Sequence, residues 1–173
     1  MRAVGTMRRS TRYVALVAVL AVVVLGAGLW QWRAADGDQG LRYAAMRDTV
    51  TVEGRQDIVV MNSLDTTQVQ AGLAAWLSVS TGTLHDQLGQ VSDADKKTLG
   101  SSGAKTTGKV VDAVLTELDD RAGTARMIAS VELNVVDKAG KATVKRNRFS
   151  ADLSLDGTQW KLSQLQQVAV NAS

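Results

Sequence analysis

The chain of 173 residues has no cysteine and no proline, a single phenylalanine, a single histidine, and seven aromatic residues in all. Without cysteine there is no disulfide, no thiol nucleophile and no zinc–thiolate centre, so stability must come from packing. The lack of proline excludes a Pro-rich stalk. So few aromatics argue against a stacking platform for carbohydrate. The lone histidine means that a histidine-dependent triad or a multi-histidine metal site must use His85 or fail. It stands in Leu84-His85-Asp86-Gln87-Leu88, one step off an apolar stripe, and reads as an exposed or rim residue of a helix rather than a titrating base. EF-hand, H-E-x-x-H and complete phosphate-loop (G-x-x-x-x-G-K followed by Ser or Thr) patterns are absent from the sequence. No catalytic, cofactor-binding or metal-binding residue is therefore expected.

Charge of one sign is scarce once the first residues are set aside. The formal net charge is +3, but Arg2, Arg8, Arg9 and Arg12 all precede residue 13, leaving sixteen Lys and Arg against seventeen Asp and Glu. The excess belongs to the N-terminal tail, which can meet anionic lipid, and gives no case for nucleic acid.

What is present is a run of eighteen uncharged residues from Tyr13 to Trp30. As a helix it would reach roughly 27 Å, close to the ~30 Å hydrocarbon core of a bilayer. We expect a transmembrane helix over 13–32, with Tyr13, Leu16, Leu20, Leu25, Trp30 and Trp32 as anchor residues and the rings at the headgroup levels. The four arginines keep residues 1–12 cytoplasmic, so 33–173 form one extracytoplasmic domain of a single-pass protein. A cleaved signal with a cut near Ala27, Ala34 or Ala35 is the competing reading; it too places the domain outside. Gly26 and Gly28 lack G-x-x-x-G spacing, which leaves helix pairing there open.

Along that domain, helices are expected from about 36 to 98 and strands from about 107 to 170. The first helix continues to Met61, although Thr49-Val50-Thr51-Val52 alternates like a strand. Asp65 and Gln68 give a D-x-x-Q start for a helix with Val69, Leu73, Trp76 and Leu77 on one side and Gly72 as a weakness; it ends at Thr81-Gly82. Leu84, Leu88 and Val91 mark another helix. Leu99-Gly100-Ser101-Ser102-Gly103 reads as a loop. Strands follow at Val110–Leu118, around Met127–Val135, at Thr143–Leu155 and at Gln159–Val170, with a bulge near Gln164 and a type I′ turn at Asp156-Gly157. Helices first and an antiparallel meander after give an α+β fold.

The order of a span, a helix, Asn62-Ser63-Leu64-Asp65, Ser80-Thr81-Gly82, a helix beginning Thr83-Leu84-His85-Asp86-Gln87, and a last strand with Gly157-Thr158-Gln159-Trp160-Lys161-Leu162 resembles the Mce-associated membrane proteins of actinobacteria. The resemblance covers most of the chain, on motifs that are individually short. It implies an NTF2-like (cystatin-like) cone of N-terminal helices packed on a curved four-stranded meander. It also implies a non-enzymatic accessory that stabilises or assembles an Mce-type lipid-import transporter of the cell envelope. The same outline resembles VirB8-like secretion or conjugation scaffolds and, more broadly, ligand-binding or SnoaL-like members of the superfold. Membrane lipid, protein partners in an envelope complex and a homo-oligomer are the partners these resemblances imply.

Candidate residues follow from the pattern. Trp76, Phe149 and Trp160 read as core residues or as the lining of a lipid-sized cavity. Lys141, Lys145, Arg146 and Arg148 form a basic group around the third strand, either a solvated, edge-protecting face or a docking surface. Asp112 is the acidic strand residue that would point into a pocket. Asp119-Asp120 and Asp93 with Asp95 read as turn chemistry rather than carboxylate pairs for catalysis.

Overall fold

The computed structural model describes residues 40–168. The predicted span at 13–32 and its arginines lie outside the described residues. No described helix is long and apolar enough to cross a membrane. The chain divides into units Met1–Ala44 and Ala45–Ser173; of the first, residues 40–44 are described, and they are helical.

Helix α1 runs over residues 40–61 and settles the conflict at Thr49–Val52 in favour of helix. The Thr49 and Thr51 hydroxyls donate to the carbonyls of Ala45 (3.0 Å) and Arg47 (2.7 Å), so the β-branched residues join the helical ladder instead of opposing it. Val50 and Ile58 are wholly buried. Between them Gly54 lets the helix approach the sheet: a Cβ there would stand 3.0 Å from Leu153 Cδ2 and 3.2 Å from Met127 Cε.

A two-residue strand β1 (Leu64–Asp65) and a 3₁₀ turn (Thr66–Gln68) lead into α2 (Val69–Ser78). Asp65 is a cap, but of the 3₁₀ turn. Its Oδ1 accepts from the Thr67 amide (3.0 Å) and hydroxyl (2.6 Å), which lowers the carboxyl's pKa. Gly72 lies inside α2, where Leu64 of β1 packs in the space a side chain would need. Helix α3 (Gly82–Gly89) follows as expected.

Two elements differ from the sequence reading. Residues Asp93–Ser101 are a helix, α4, so Leu99-Gly100-Ser101 are helical and only the end of that stretch is loop. The reason is a reciprocal cap. Ser92 Oγ accepts from the Asp95 amide (3.2 Å) and donates to Asp95 Oδ2 (2.7 Å), while Asp93 and Asp95 sit in the first turn, where the helix dipole favours carboxylates. The sheet also has five strands rather than four. Its order is β1-β2-β3-β4-β5, with β2 Lys105–Asp119, β3 Thr124–Val136, β4 Ala142–Asp156 and β5 Gln159–Val168, all antiparallel.

Alternation sets the core. Ala125, Met127, Ala129 and Val131 of β3 turn to the helix side with Ala151 and Leu153 of β4 and Trp160 and Leu162 of β5; they close on Val50 and Ile58. Leu155, near the end of β4, is exposed. The bulge expected near Gln164 is found at Ser163: Asp152 faces Gln164 and Leu153 faces Leu162, leaving Ser163 over. In the last hairpin Asp156 pairs with Gln159, so Gly157 and Thr158 are the central residues. Gly157 has φ 64° and no described non-glycine, Thr158 included, has positive φ, the signature of a II′ rather than an I′ turn.

Candidate functional site

The start of β5 is where α1, the α2–α3 junction and the sheet converge. Residues 79–81 lie against β5 as a short parallel bridge. Leu162 donates to the Val79 carbonyl (3.0 Å), and Thr81 donates to that of Leu162 (2.9 Å). From α1, Glu53 Oε2 accepts the backbone N–H of Trp160 at 2.8 Å. One turn further along α1, Asp57 carries a buried Oδ2 with no hydrogen-bond partner among the described residues. Burial, and secondarily the charge of Glu53, push the Asp57 carboxyl up to about 7, against the pull of Lys161. Lys161 is itself engaged. Its Nζ lies 2.8 Å from Asp156 Oδ2 and holds Asp156 below the usual carboxylate range.

His85 closes this corner. Its Nδ1 is 3.1 Å from the Leu77 carbonyl and 3.4 Å from Ser80 Oγ. The carbonyl can only accept, so Nδ1 is the protonated nitrogen in that contact. The ring is exposed, as expected for a rim histidine. Asp57 lines none of the clefts described below, and among the described residues no group of three His, Asp or Glu is placed to hold a metal ion. The arrangement couples α1 to β5 and leaves one carboxylate oxygen, Asp57 Oδ2, without a hydrogen bond among the described residues.

Around this corner the surface is grooved. A cleft of ≈ 610 Å³ runs between α3 and β5, lined by Gly82, Thr83, Leu84, Gln87 and Ser163 to Gln166. On the other edge a second cleft of ≈ 610 Å³ lies between Arg55, Gln56, Val59 and Val60 of α1 and Gly108, Lys109 and Val110 of β2. The sheet face away from the helices carries a shallow site of ≈ 450 Å³ that includes Glu117, Arg126 and Asp152. There Arg126 bridges Asp152 (2.7 Å) and Glu117 (3.1 Å), and these contacts, Asp152 first, raise the guanidinium's pKa.

The residues singled out in the sequence do not gather into one site. Trp160 is core, 4% exposed, and Phe149 packs, partly buried, against the core cluster. Trp76 is elsewhere. Its indole N–H donates to the carbonyls of Val60 (3.0 Å) and Ser63 (3.1 Å), closing the C-terminal end of α1. The basic group is divided. Lys141 closes the β3–β4 hairpin, donating its backbone N–H to Asp137 Oδ1 at 2.9 Å. Lys145 shares the strand parity of Phe149, whereas Arg146 and Arg148 take the opposite one, Arg146 paired with Glu132 at 3.1 Å. Asp112 is exposed on the outer face opposite Ser130 and enters no pocket, contrary to expectation, because a register shift between Val110 and Asp112 resets the alternation. Asp119 is turn chemistry as expected, accepting from the amides of Arg121 (3.0 Å) and Ala122 (2.9 Å).

No family model matches the chain, and no curated protein matches it. Solved structures do. The periplasmic domain of DotI aligns at a TM-score of 0.57 and 11% identity, over 70% of this chain and 94% of that one. CagV, a VirB8 homologue of the T4SS of Helicobacter pylori, aligns at 0.54 and 4% over 72% and 99%, and a periplasmic fragment of TraM at 0.53 and 11% over 69% and 95%. At such identities the likeness is one of fold: an antiparallel five-stranded sheet with a few helices, VirB8-like in architecture. The Mce-associated resemblance finds no matching family model.

Proposed function

We propose that this protein is a membrane-anchored, extracytoplasmic scaffold subunit of a multiprotein envelope complex of the VirB8-like secretion or conjugation class. The observation that carries the reading is the fold likeness, which takes in 94–99% of three solved chains, two of them described as periplasmic and one as a VirB8 homologue of a T4SS. The uncharged run at Tyr13–Trp30 behind four arginines supports the same topology from the sequence. The site adds to it: a joint that couples α1 to β5, flanked by surface clefts, suits a protein that presents surfaces.

A role in Mce-type lipid import was the leading expectation. It has no support in the comparisons and yields to the secretion-scaffold reading. Protease treatment of intact spheroplasts tests the topology, with digestion of residues 45–168 expected from the outer side only. Isolation of the full chain from detergent-extracted envelopes, after crosslinking, tests the scaffold role. Other subunits of a secretion or conjugation machine are expected; recovery of Mce and permease subunits instead would return the account to lipid import.

A further inference from the structure

The two edges of the sheet are built differently. Along β2 the outer edge carries Lys109, Asp112, Glu117 and Asp119 and is broken by register shifts between Val110 and Asp112 and between Leu115 and Glu117. Charges and bulges of this kind keep an edge from accepting a foreign strand. At the opposite edge β5 pairs with β4 on one side only, and on the other side residues 79–81 cover it at Leu162 alone among the described residues. From Ser163 to Val168 the sequence is Ser-Gln-Leu-Gln-Gln-Val, without charge or proline. The ≈ 610 Å³ cleft between this stretch and α3 likewise has no charged residue in its lining.

We propose that the edge of β5 beyond Leu162 is a strand-addition site, which takes an uncharged extended segment of a partner protein into the α3–β5 cleft. The chemistry of the occupant follows from the cleft. Main-chain N–H and C=O groups of an edge strand are satisfied by another extended backbone. A charged side chain entering the cleft would lose water with no counter-charge to meet it. The bridge at residues 79–81 is a template in place, since there β5 already accepts a parallel segment through two backbone hydrogen bonds. A second copy of β5 is a poor occupant, because it arrives flanked by its own α3, while α3 already walls the cleft. An unflanked segment fits. The inference deepens the scaffold reading and rests on it for the partner being an envelope protein; the existence of the site is tested without that assumption.

The test is hydrogen exchange on the full chain in detergent, with a ten-residue peptide of alternating valine and threonine as the probe and the same peptide with prolines at alternate positions as the control. The valine–threonine peptide should slow exchange over residues 163–168 by roughly ten-fold or more, and the proline peptide should not. The exposed pair Gln164→Lys with Gln166→Lys should abolish the protection without lowering Tm; if the pair unfolds, Gln166→Lys alone serves. No slowing at millimolar peptide, or equal slowing by the proline peptide, overturns the proposal. Protection without peptide overturns it too, by a second copy if it grows with protein concentration and by the chain itself if it does not. Peptide protection in a chain that co-isolates with no secretion subunit would leave the site standing and count against the scaffold reading alone.

Discussion

Asp57 is the carboxyl whose ionisation the fold changes most among the described residues. It lies on the stripe Val50, Glu53, Gly54, Asp57, Ile58, Met61 that faces the sheet, so two carboxylates stood on an apolar face and were legible there. What the sequence could not supply was the neighbour: Glu53 is accounted for by the Trp160 amide, and Asp57 Oδ2 has no partner among the described residues. In an unfolded chain this carboxyl ionises near 3.8, and in the fold near 7. Between those values the native state holds the extra proton, so its contribution to stability is complete below about pH 4 and is lost as pH rises through 7. Asp57→Asn should flatten this slope and raise stability at pH 7.5 by on the order of 2 kcal/mol, a figure reduced for the water that reaches the group. Urea unfolding of residues 45–168 in the full chain between pH 4 and 8 measures it; an unchanged slope in the variant would show that other groups set it. Trp76→Phe is a second residue-scale case. Losing the donor to two carbonyls should cost about 1–2 kcal/mol, read from the same unfolding curves.

At the scale of elements, the strands were readable because period-two alternation survives in β3 and β4, where Ala125, Met127, Ala129, Val131, Ala151 and Leu153 are all buried. Helix α4 falls mostly within the expected helical stretch to about 98 but was not read as a helix of its own, because Asp-Ala-Asp-Lys-Lys-Thr-Leu-Gly-Ser is polar nearly all round and offers no stripe; its signal was the Ser92–Asp95 cap. Strand β1 was missed because two residues are too few to alternate, and its pairing with Lys105 and Thr106 is a long-range fact. Ser92→Ala should therefore cost about 1 kcal/mol and speed exchange in α4 before the sheet responds. The packing of α1 gives a sharper contrast. Gly54→Val pushes a branched side chain into Leu153 and Met127 and should cost about 2–3 kcal/mol. Gly89→Ala, with open space around it, should be neutral or stabilise by up to about 1 kcal/mol. Thermal unfolding of the two variants side by side checks both.

For the molecule as a whole, the α+β class and the VirB8-like architecture were already present in the order of elements, while a role was not, since fold alone does not carry function. A tethered domain gains from the high local concentration of its partners at the membrane, and open surfaces at both sheet edges are what such a domain would offer. The candidate docking residues Lys141, Lys145, Arg146 and Arg148 fall on a turn and on two opposite faces, so charge reversal at Arg148 and at Lys145 should have separate effects on assembly if either face is used. The most direct test of the scaffold account is the native mass of the full chain in mild detergent extracts of its own envelope, by blue-native electrophoresis with subunit identification. The account predicts a large complex that contains secretion- or conjugation-class subunits and dissolves when the anchor segment 13–32 is removed. A species that runs as the free chain, unchanged by crosslinking, would contradict it.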